Sequence, residues 1–201
     1  RAYLAAMEPL AGEGLLGAVL VQFPISFHGN AANRRHLDRV LGRFSALPLA
    51  VEFRGAEWDG EATHELLARH NAAFVNIDQP LLGGNLRATA HGTCELAYFR
   101  FHGRNAAKWF GPDTSNAQRY NYLYRPEELA PWTARIEKAQ TKNVFAILNN
   151  HFRGQAVANA LELQHALTGA VPEAPETLRE AYPALKAVTV SPASDVQKRL
   201  F

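Results

Sequence analysis

Short apolar runs alternate with amphipathic segments along most of this chain. The apolar runs lie at residues 16–23, 49–53, 73–77, 96–101 and 144–148. They are rich in Val, Phe and Ile and apolar on both faces, which is typical of strands covered on both sides of a sheet. Between them, apolar residues recur at helical spacing over residues 33–44, 60–70, 129–139 and 155–167, with a last amphipathic stretch at 175–185. Strand followed by helix, repeated, predicts an α/β fold with a parallel sheet.

Two architectures suit this pattern, a TIM-barrel-like fold and an open doubly wound sheet. Five strand–helix units cannot close an eight-stranded barrel, whose usual length is about 250 residues. In the barrel case the fold is therefore incomplete, with about five of eight units. The chain begins at Arg1 and residues 3–10 resemble the second half of a helix, so we expect further units upstream. We interpret residues 1–201 as a single partial barrel domain, with 186–201 as a polar C-terminal tail.

Composition narrows the class of protein. With 47% hydrophobic and 20% charged residues, the chain has the composition of a globular domain. A net charge of only +2 argues against a globally basic nucleic-acid binder, although charge can still be concentrated on one face. The lone Cys94 excludes an intrachain disulfide and favours a cytoplasmic setting. The longest apolar run is far shorter than the ~20 residues of a membrane span, so we expect no membrane partner. Nothing in the sequence indicates an oligomeric state.

Polar residues follow several of the predicted strands. They are Glu52 and Arg54 after the second strand, Asp78 after the third, the run Arg100-Phe101-His102-Gly103-Arg104-Asn105 at the fourth, and Asn149-Asn150-His151 after the fifth. Side chains alternate along a strand, so Glu52 shares a face with Arg54 and Arg100 shares one with His102. The C-terminal ends of barrel strands form the face where such enzymes place their active sites. We therefore expect one shared site there, with Asp78 joining it from the third strand.

Two connections, residues 79–95 and 104–125, exceed the roughly 12 to 15 residues beyond which a loop without secondary structure is unusual and often functional. The second carries Trp109 and Tyr122 among cations that include Arg119. Aromatic rings interleaved with cations can stack on bases or sugars. The alternative is a loop pinned over the barrel mouth by its own aromatic side chains.

An anion-binding site is the first chemical interpretation. Arginines outnumber carboxylates at the strand ends, and guanidinium groups bind phosphate or carboxylate in a bidentate manner. The sequence thus predicts a small anionic or phosphate-bearing ligand, with nucleic acid as a second candidate. The alternative is that Glu52 forms a structural ion pair with Arg54 or Arg100. The predicted substrate-binding residues are Arg54, Arg100, Arg104, Asn149, Asn150, His151, Trp109 and Tyr122.

A divalent metal site is the second interpretation, because Glu52, Asp78, His102 and His151 offer oxygen and imidazole ligands on separate strands. No HxH or HExxH spacing supports it, and the alternative is a set of histidines hydrogen-bonded within a polar core. The remaining helical histidines are expected at the surface; they are His36, His64, His70 and His165.

Acid–base catalysis is the third interpretation. His102, oriented by Glu52 or Asp78, could move protons near neutral pH. These three residues are the predicted catalytic groups. The sequence contains no GxSxG motif that would indicate a Ser/His/Asp mechanism, and Cys94 has no activating neighbour in the sequence.

Several short motifs occur in a characteristic order. They are Gln22-Phe23-Pro24 with Ser26-Phe27, Val51-Glu52-Phe53-Arg54 with Trp58, Arg100-Phe101-His102-Gly103-Arg104, Tyr122-Leu123-Tyr124 with Glu128-Leu129 and Trp132, and Asn149-Asn150-His151 followed by Gly154, Ala156, Asn159 and Ala160. In this combination, over residues 17–185, the chain resembles the YecE-like family, domain of unknown function 72. The resemblance implies a TIM-barrel-related fold whose N-terminal strands are absent here, and it implies no particular reaction. Ile25 and Gly55 depart from the family pattern, where proline and histidine are common.

Three functions remain open at the level of the sequence. The first is an enzyme acting on an anionic, phosphate-bearing substrate at the C-terminal face of the barrel. The second is a non-catalytic module that binds a ligand or nucleic acid with the same groups. The third is a metal-dependent hydrolase or isomerase. Against all three stands the interpretation that the strand-end motifs only brace the barrel.

Overall fold

The computed structural model describes residues 2–108, 115–139 and 141–192. Within them, five parallel strands form one curled sheet in the order β1-β2-β3-β4-β5. The strands are β1 (Val19–Gln22), β2 (Leu49–Glu52), β3 (Ala73–Asp78), β4 (Leu96–Phe101) and β5 (Asn143–Leu148). All five strands occupy segments that the hydrophobic pattern predicts, although β1 begins three residues later than expected.

Helices connect the strands and cover the outer face of the sheet. The α-helices are α1 (Ala2–Gly12), α2 (Ala31–Arg43), α3 (Glu61–Arg69), α4 (Asn116–Arg119), α5 (Pro126–Lys138), α6 (Gln155–Thr168) and α7 (Glu176–Ala181). Short 3-10 helices occupy Ala56–Trp58, Ala106–Lys108, Phe152–Gly154 and Pro183–Ala187. None of these helices combines the length and apolar character that crossing a bilayer requires. The sequence pattern did not anticipate α4.

Helix starts are marked by local chemistry. The Asn30 side chain accepts a hydrogen bond from the backbone N–H of Asn33 at 2.9 Å and so caps α2. Pro126 occupies the first position of α5, where its missing N–H costs nothing. Glu128 then accepts a hydrogen bond from the backbone N–H of Arg125 at 2.9 Å. These caps fix where α2 and α5 begin relative to the strand ends.

The strand register decides which side chains point into the half-barrel. Gln22 pairs with Glu52 across β1 and β2, and Ile77 pairs with Arg100 across β3 and β4. Paired residues in a parallel sheet face the same side. Arg100 therefore shares the inner face with Ile77, whereas Asp78 lies beside Phe101 on the outer, helix-covered face.

Aromatic side chains fill the layer between sheet and helices. On the β1–β3 side, the buried Phe53 and Trp58 rings stack with centroids 4.5 Å apart. On the β4–β5 side, Phe101 meets Trp132 of α5 edge-on at 5.1 Å. Each such pair contributes about 0.5 to 1.5 kcal/mol beyond the area it buries. These contacts hold the strand ends, and hence the polar groups on them, in place.

Part of the predicted tail packs against the body of the chain. The backbone N–H of Val190 donates to the carbonyl of Pro172 at 3.0 Å, and that of Ala174 donates to the carbonyl of Val190 at 2.9 Å. Thr189 is buried. Residues 193–201 of the predicted tail lie outside the described residues.

Candidate anion-binding site

Glu52 is the centre of a polar cluster at the C-terminal ends of the strands. Its carboxylate is fully buried at the end of β2. Oε1 lies 2.8 Å from Nη2 of Arg54 and 3.1 Å from Nε2 of His102, and Oε2 accepts a hydrogen bond of 2.5 Å from Nη1 of Arg100. The structure thus brings together the Glu52, Arg54, Arg100 and His102 side chains, as the sequence predicted.

Two glutamines hold the guanidinium groups in position. Nη1 of Arg100 donates to Oε1 of Gln22 at 2.9 Å, and Nη1 of Arg54 donates to Oε1 of Gln79 at 3.1 Å. Gln79 is itself fixed, because its Nε2 donates to the carbonyls of Arg54 and Leu86. Gln79 was not among the predicted site residues. The alternation on β3 could have found it, because Gln79 continues the inward-facing positions Val75 and Ile77.

The electrostatics of the cluster keep Glu52 ionised. Burial acts to raise the pKa of Glu52, but the hydrogen bond from His102 and the charges of the two arginines outweigh it and lower the pKa from 4.5 to about 2. Burial lowers the pKa of His102, while its hydrogen bond to Glu52 opposes that shift. Glu52 is therefore an anion near neutral pH, and His102 is a neutral imidazole.

Both ring nitrogens of His102 are engaged. An ionised carboxylate only accepts hydrogen bonds, so Nε2–H of His102 donates to Glu52. Nδ1 then accepts from the side-chain amide of Asn149 at 3.2 Å. His102 is also 99% buried, with 1% of its surface exposed. In this arrangement the ring has no free nitrogen with which to exchange a proton with a ligand.

The cluster carries an excess of positive charge. Two guanidinium groups face one carboxylate, and the imidazole is neutral. The Nε atoms of Arg100 and Arg119 are buried and make no hydrogen bond within the described part of the chain. Arg54 and Arg119 both line a cavity of about 190 Å³, together with Tyr120 and Asn85. Of the two unsatisfied donors, the one on Arg119 belongs to a residue that lines this cavity, and such a donor is suited to an anionic ligand.

Asp78 belongs to a different cluster, contrary to the convergence expected from the sequence. Nε of Arg104 lies 3.0 Å from both carboxylate oxygens of Asp78, and the indole Nε1 of Trp132 donates to Asp78 at 3.2 Å. Arg104 also reaches Glu128, which accepts a 2.5 Å hydrogen bond from the hydroxyl of Tyr122. The cause is the strand register, which turns Asp78 outward towards α5. Asp78, Arg104 and Tyr122 therefore brace the connection after β4 and do not face Glu52.

Other predicted site residues also lie elsewhere. Nδ2 of Asn150 donates to the carbonyl of Tyr122 and to Oδ1 of Asn159, both at 2.8 Å, because position 150 faces α6. His151 is exposed and its Nδ1–H donates to the carbonyl of Asn149 at 2.8 Å. Trp109 lies outside the described residues. The four predicted metal ligands Glu52, Asp78, His102 and His151 are not brought together, since only Glu52 and His102 are in contact.

Comparison with known proteins places this chain in a family. The family model described as "Protein of unknown function DUF72" matches residues 1–182. The chain belongs to the DUF72 family. This result confirms the resemblance carried by the strand-end motifs. In this chain, the motif residues occupy both clusters, those around Glu52 and those around Asp78.

Solved DUF72 structures are similar to this chain. A DUF72 family protein from Thermotoga maritima MSB8 is 36% identical, with a TM-score of 0.76, over 83% of this chain and 63% of that one. One from Enterococcus faecalis V583 is 31% identical, with a TM-score of 0.76, over 83% and 64%. The UPF0759 protein YunF of Bacillus subtilis is 29% identical over 177 residues, 63% of its length. The chain thus spans under two thirds of these relatives. The two solved structures confirm the TIM-barrel-like α/β fold, of which the described residues of this chain form five strands.

Gly103 of this DUF72 chain lies between His102 of the first cluster and Arg104 of the second. Its backbone conformation can be tested by substitution. Its φ is +83°, and a Cβ there would lie 2.8 Å from Cβ of Tyr122. We expect Gly103→Ala to lower the free energy of unfolding by about 2 kcal/mol, because left-handed strain and a clash add. Urea denaturation measures it. Gly83→Ala is the matched control, since nothing lies within 4 Å of a Cβ there. Equal effects at both positions would contradict the expectation.

Proposed function

We propose that this DUF72 chain binds a small phosphate-bearing molecule at the C-terminal ends of its strands. Arg54 and Arg119, which line the cavity, would hold it, and Arg100 adds positive charge from its ion pair with Glu52. The observation that carries the proposal is the buried excess of guanidinium charge around a single carboxylate. Arg54 and Arg100 are 13% and 11% exposed, so each retains a path to a ligand while being shielded from bulk water. A charged hydrogen bond in such surroundings is stronger than one in water.

The unsatisfied donors support an anion in particular. A buried N–H without a partner costs about 1 to 3 kcal/mol, and the Nε groups of Arg100 and Arg119 are both in this state within the described residues. A phosphate oxygen would satisfy such donors with the geometry that guanidinium groups prefer. The cavity of about 190 Å³ is smaller than the 300 to 1,000 Å³ typical of drug-sized ligands, which favours a phosphate group or a small phosphate ester.

The same geometry favours recognition over proton transfer. Glu52 stays ionised above about pH 2, and its carboxylate is already paired with Arg54 and Arg100. His102 would have to release Asn149 before Nδ1 could act on a substrate. We therefore propose ligand binding as the function of this site. The predicted enzyme on an anionic substrate would require that rearrangement.

Arg119→Gln provides the cleanest test, because Arg119 lines the cavity while the ion pairs of Glu52 involve other side chains. We expect the variant to bind inorganic phosphate at least about 10-fold more weakly, the loss of one charge-assisted hydrogen bond. Isothermal titration calorimetry measures the affinity. Arg39→Gln, an exposed arginine on α2, is the matched control and should leave binding unchanged.

Two results would overturn the proposal. One is wild-type protein that binds neither inorganic phosphate nor a simple phosphate ester. The other is equal affinity in Arg119→Gln and Arg39→Gln. Binding of a single-stranded oligonucleotide with steep salt dependence, and no binding of inorganic phosphate, would instead identify a nucleic-acid partner. We include a cytoplasmic location in the proposal, supported by the single, free Cys94.

A further inference from the structure

A second cluster of titratable side chains lies on the outer side of the sheet, away from Glu52. It consists of Asp59, His64 and His91, whose potential ligand atoms all lie within 4.8 Å of one another. Asp59 follows the 3-10 helix 56–58, His64 lies on α3, and His91 lies in the connection between β3 and β4. Three separate segments therefore converge on one point.

A buried core residue holds the backbone of His91. Oδ1 of Asn76, on the outer face of β3, accepts from the backbone N–H of His91 at 2.7 Å, and its Nδ2 donates to the carbonyl of His91 at 3.0 Å. The hydroxyl of Thr89 donates to the same Oδ1 at 2.7 Å. Asn76 is fully buried. The long connection is thus anchored to the sheet at Thr89 and at His91, the residue that carries the imidazole.

Packing restricts both imidazole rings. The rings of His64 and His91 each meet Phe74 edge-on, with centroids 5.3 and 5.2 Å from it. The centroids of the two imidazoles are 4.1 Å apart. With one edge against Phe74, each ring directs its Nε2 towards the carboxylate of Asp59. The arrangement is therefore set by the core and by the backbone before any ligand binds.

The distance between Asp59 and His64 matches that between two ligands of one metal ion, whereas the shorter one between Asp59 and His91 is that of a hydrogen bond, which an ion between them would replace. Oδ1 of Asp59 is 2.7 Å from Nε2 of His91 and 3.5 Å from Nε2 of His64. A tetrahedral zinc ion with bonds of about 2.0 to 2.2 Å separates its ligand atoms by about 3.3 to 3.6 Å. Nε2 of His64 is buried and makes no hydrogen bond to any described residue. A metal at the centre would give this nitrogen the partner it lacks.

We propose that Asp59, His64 and His91 bind one Zn²⁺ ion. Two imidazole nitrogens and one carboxylate favour zinc over Ca²⁺ or Mg²⁺, which prefer oxygen ligands. Asp59 and His91 are about one third exposed, which leaves the fourth coordination position to water. The ion would join α3 and the β3–β4 connection to the turn after β2. Its effect is therefore to stabilise this side of the fold.

The test titrates Zn²⁺ into the untagged full chain after treatment with a chelator. We expect one ion per chain with a dissociation constant of about 1 μM or tighter by calorimetry. We also expect Zn²⁺ to raise the melting temperature, because a ligand that binds the folded state stabilises it. A wild-type chain that binds no Zn²⁺ under these conditions overturns the proposal.

Substitutions locate the ion. His64→Gln and His91→Gln should each weaken Zn²⁺ binding at least about 100-fold, with folding checked by circular dichroism. His70→Gln is the matched control, because Nε2 of His70 makes the same 2.7 Å contact with Asp38 but belongs to a different pair. It should leave Zn²⁺ affinity unchanged. Wild-type affinity in His64→Gln and His91→Gln, or an equal loss in His70→Gln, would place the ion elsewhere and refute the site.

Discussion

Glu52→Gln is expected to lower the free energy of unfolding by about 3 to 5 kcal/mol, the cost of removing one partner from a buried ion pair. The substitution keeps the volume of the side chain but leaves Arg54 and Arg100 without a counter-charge. The new amide also points a donor at groups that themselves donate, because Arg100 and His102 give hydrogen bonds to Glu52 and Arg54 forms an ion pair with it. Urea denaturation near neutral pH measures the loss.

Glu65→Gln is the matched control, since Glu65 is an exposed residue on α3. Surface substitutions of this kind change the free energy of unfolding by less than about 0.5 kcal/mol. A loss under about 1 kcal/mol in Glu52→Gln would show that the carboxylate is not what holds the arginines.

The same variant should change the pH dependence of stability. The pKa of Glu52 is lowered from 4.5 in an ordinary glutamate to about 2 in the folded chain. Because the folded pKa is depressed, the contribution of Glu52, roughly 3 kcal/mol, is fully present above about pH 4.5 and is lost as pH falls through about 2. The difference between wild type and Glu52→Gln should therefore shrink over this window. A constant difference from pH 6 to 2 would argue against the assignment.

Asp78→Asn is expected to lower the free energy of unfolding by about 3 kcal/mol while leaving phosphate affinity unchanged. The stability loss arises because Asp78 is buried, with only 4% of its surface exposed. Its carboxylate accepts hydrogen bonds from Nε of Arg104 and from the indole N–H of Trp132. Phosphate affinity should be preserved because Asp78 faces α5 and not the Glu52 cluster. Urea denaturation and calorimetry with inorganic phosphate measure the two effects.

Glu128→Gln distinguishes the contributions to stability of the two carboxylates that contact Arg104, those of Asp78 and Glu128. Glu128 lies 3.5 Å from Nη1 of Arg104, which is longer than the contacts of Asp78, and we expect a smaller loss of about 1 kcal/mol. For Asp78→Asn, a phosphate affinity reduced more than about 3-fold would show that Asp78 contributes to the ligand site. That result would refute the division into two clusters.

The division between the clusters shows where reasoning from the sequence reached its limit. The alternation along β4 placed Arg100 and His102 on one face, and that prediction is confirmed. The same alternation along β3 puts Gln79 on the face of Ile77 and Asp78 on the opposite face. It could not decide which of these faces is the inner one, because that depends on how β3 pairs with β4. Asn150 was misplaced for the same reason, since it lies one residue past the inward-facing Asn149.

No local sequence pattern predicts the cluster of Asp59, His64 and His91. Its histidines are on a helix and in a loop, far apart in the sequence, and His64 was expected to be a surface residue. Only the folding of the β3–β4 connection over the outer face of β3, through the hydrogen bonds of Asn76, brings His91 to His64.

The sequence by itself determined the α/β class, the five strands, the family and the shared faces of Glu52 with Arg54 and of Arg100 with His102. These follow from hydrophobic periodicity, from short motifs and from alternation within single strands, all of which are local. The tertiary structure decided that Asp78 and Arg104 form a separate brace, that Gln22 and Gln79 position the arginines, and that three distant residues form a candidate zinc site. These depend on strand register and on contacts between segments, whose energies depend on residues far apart in the chain.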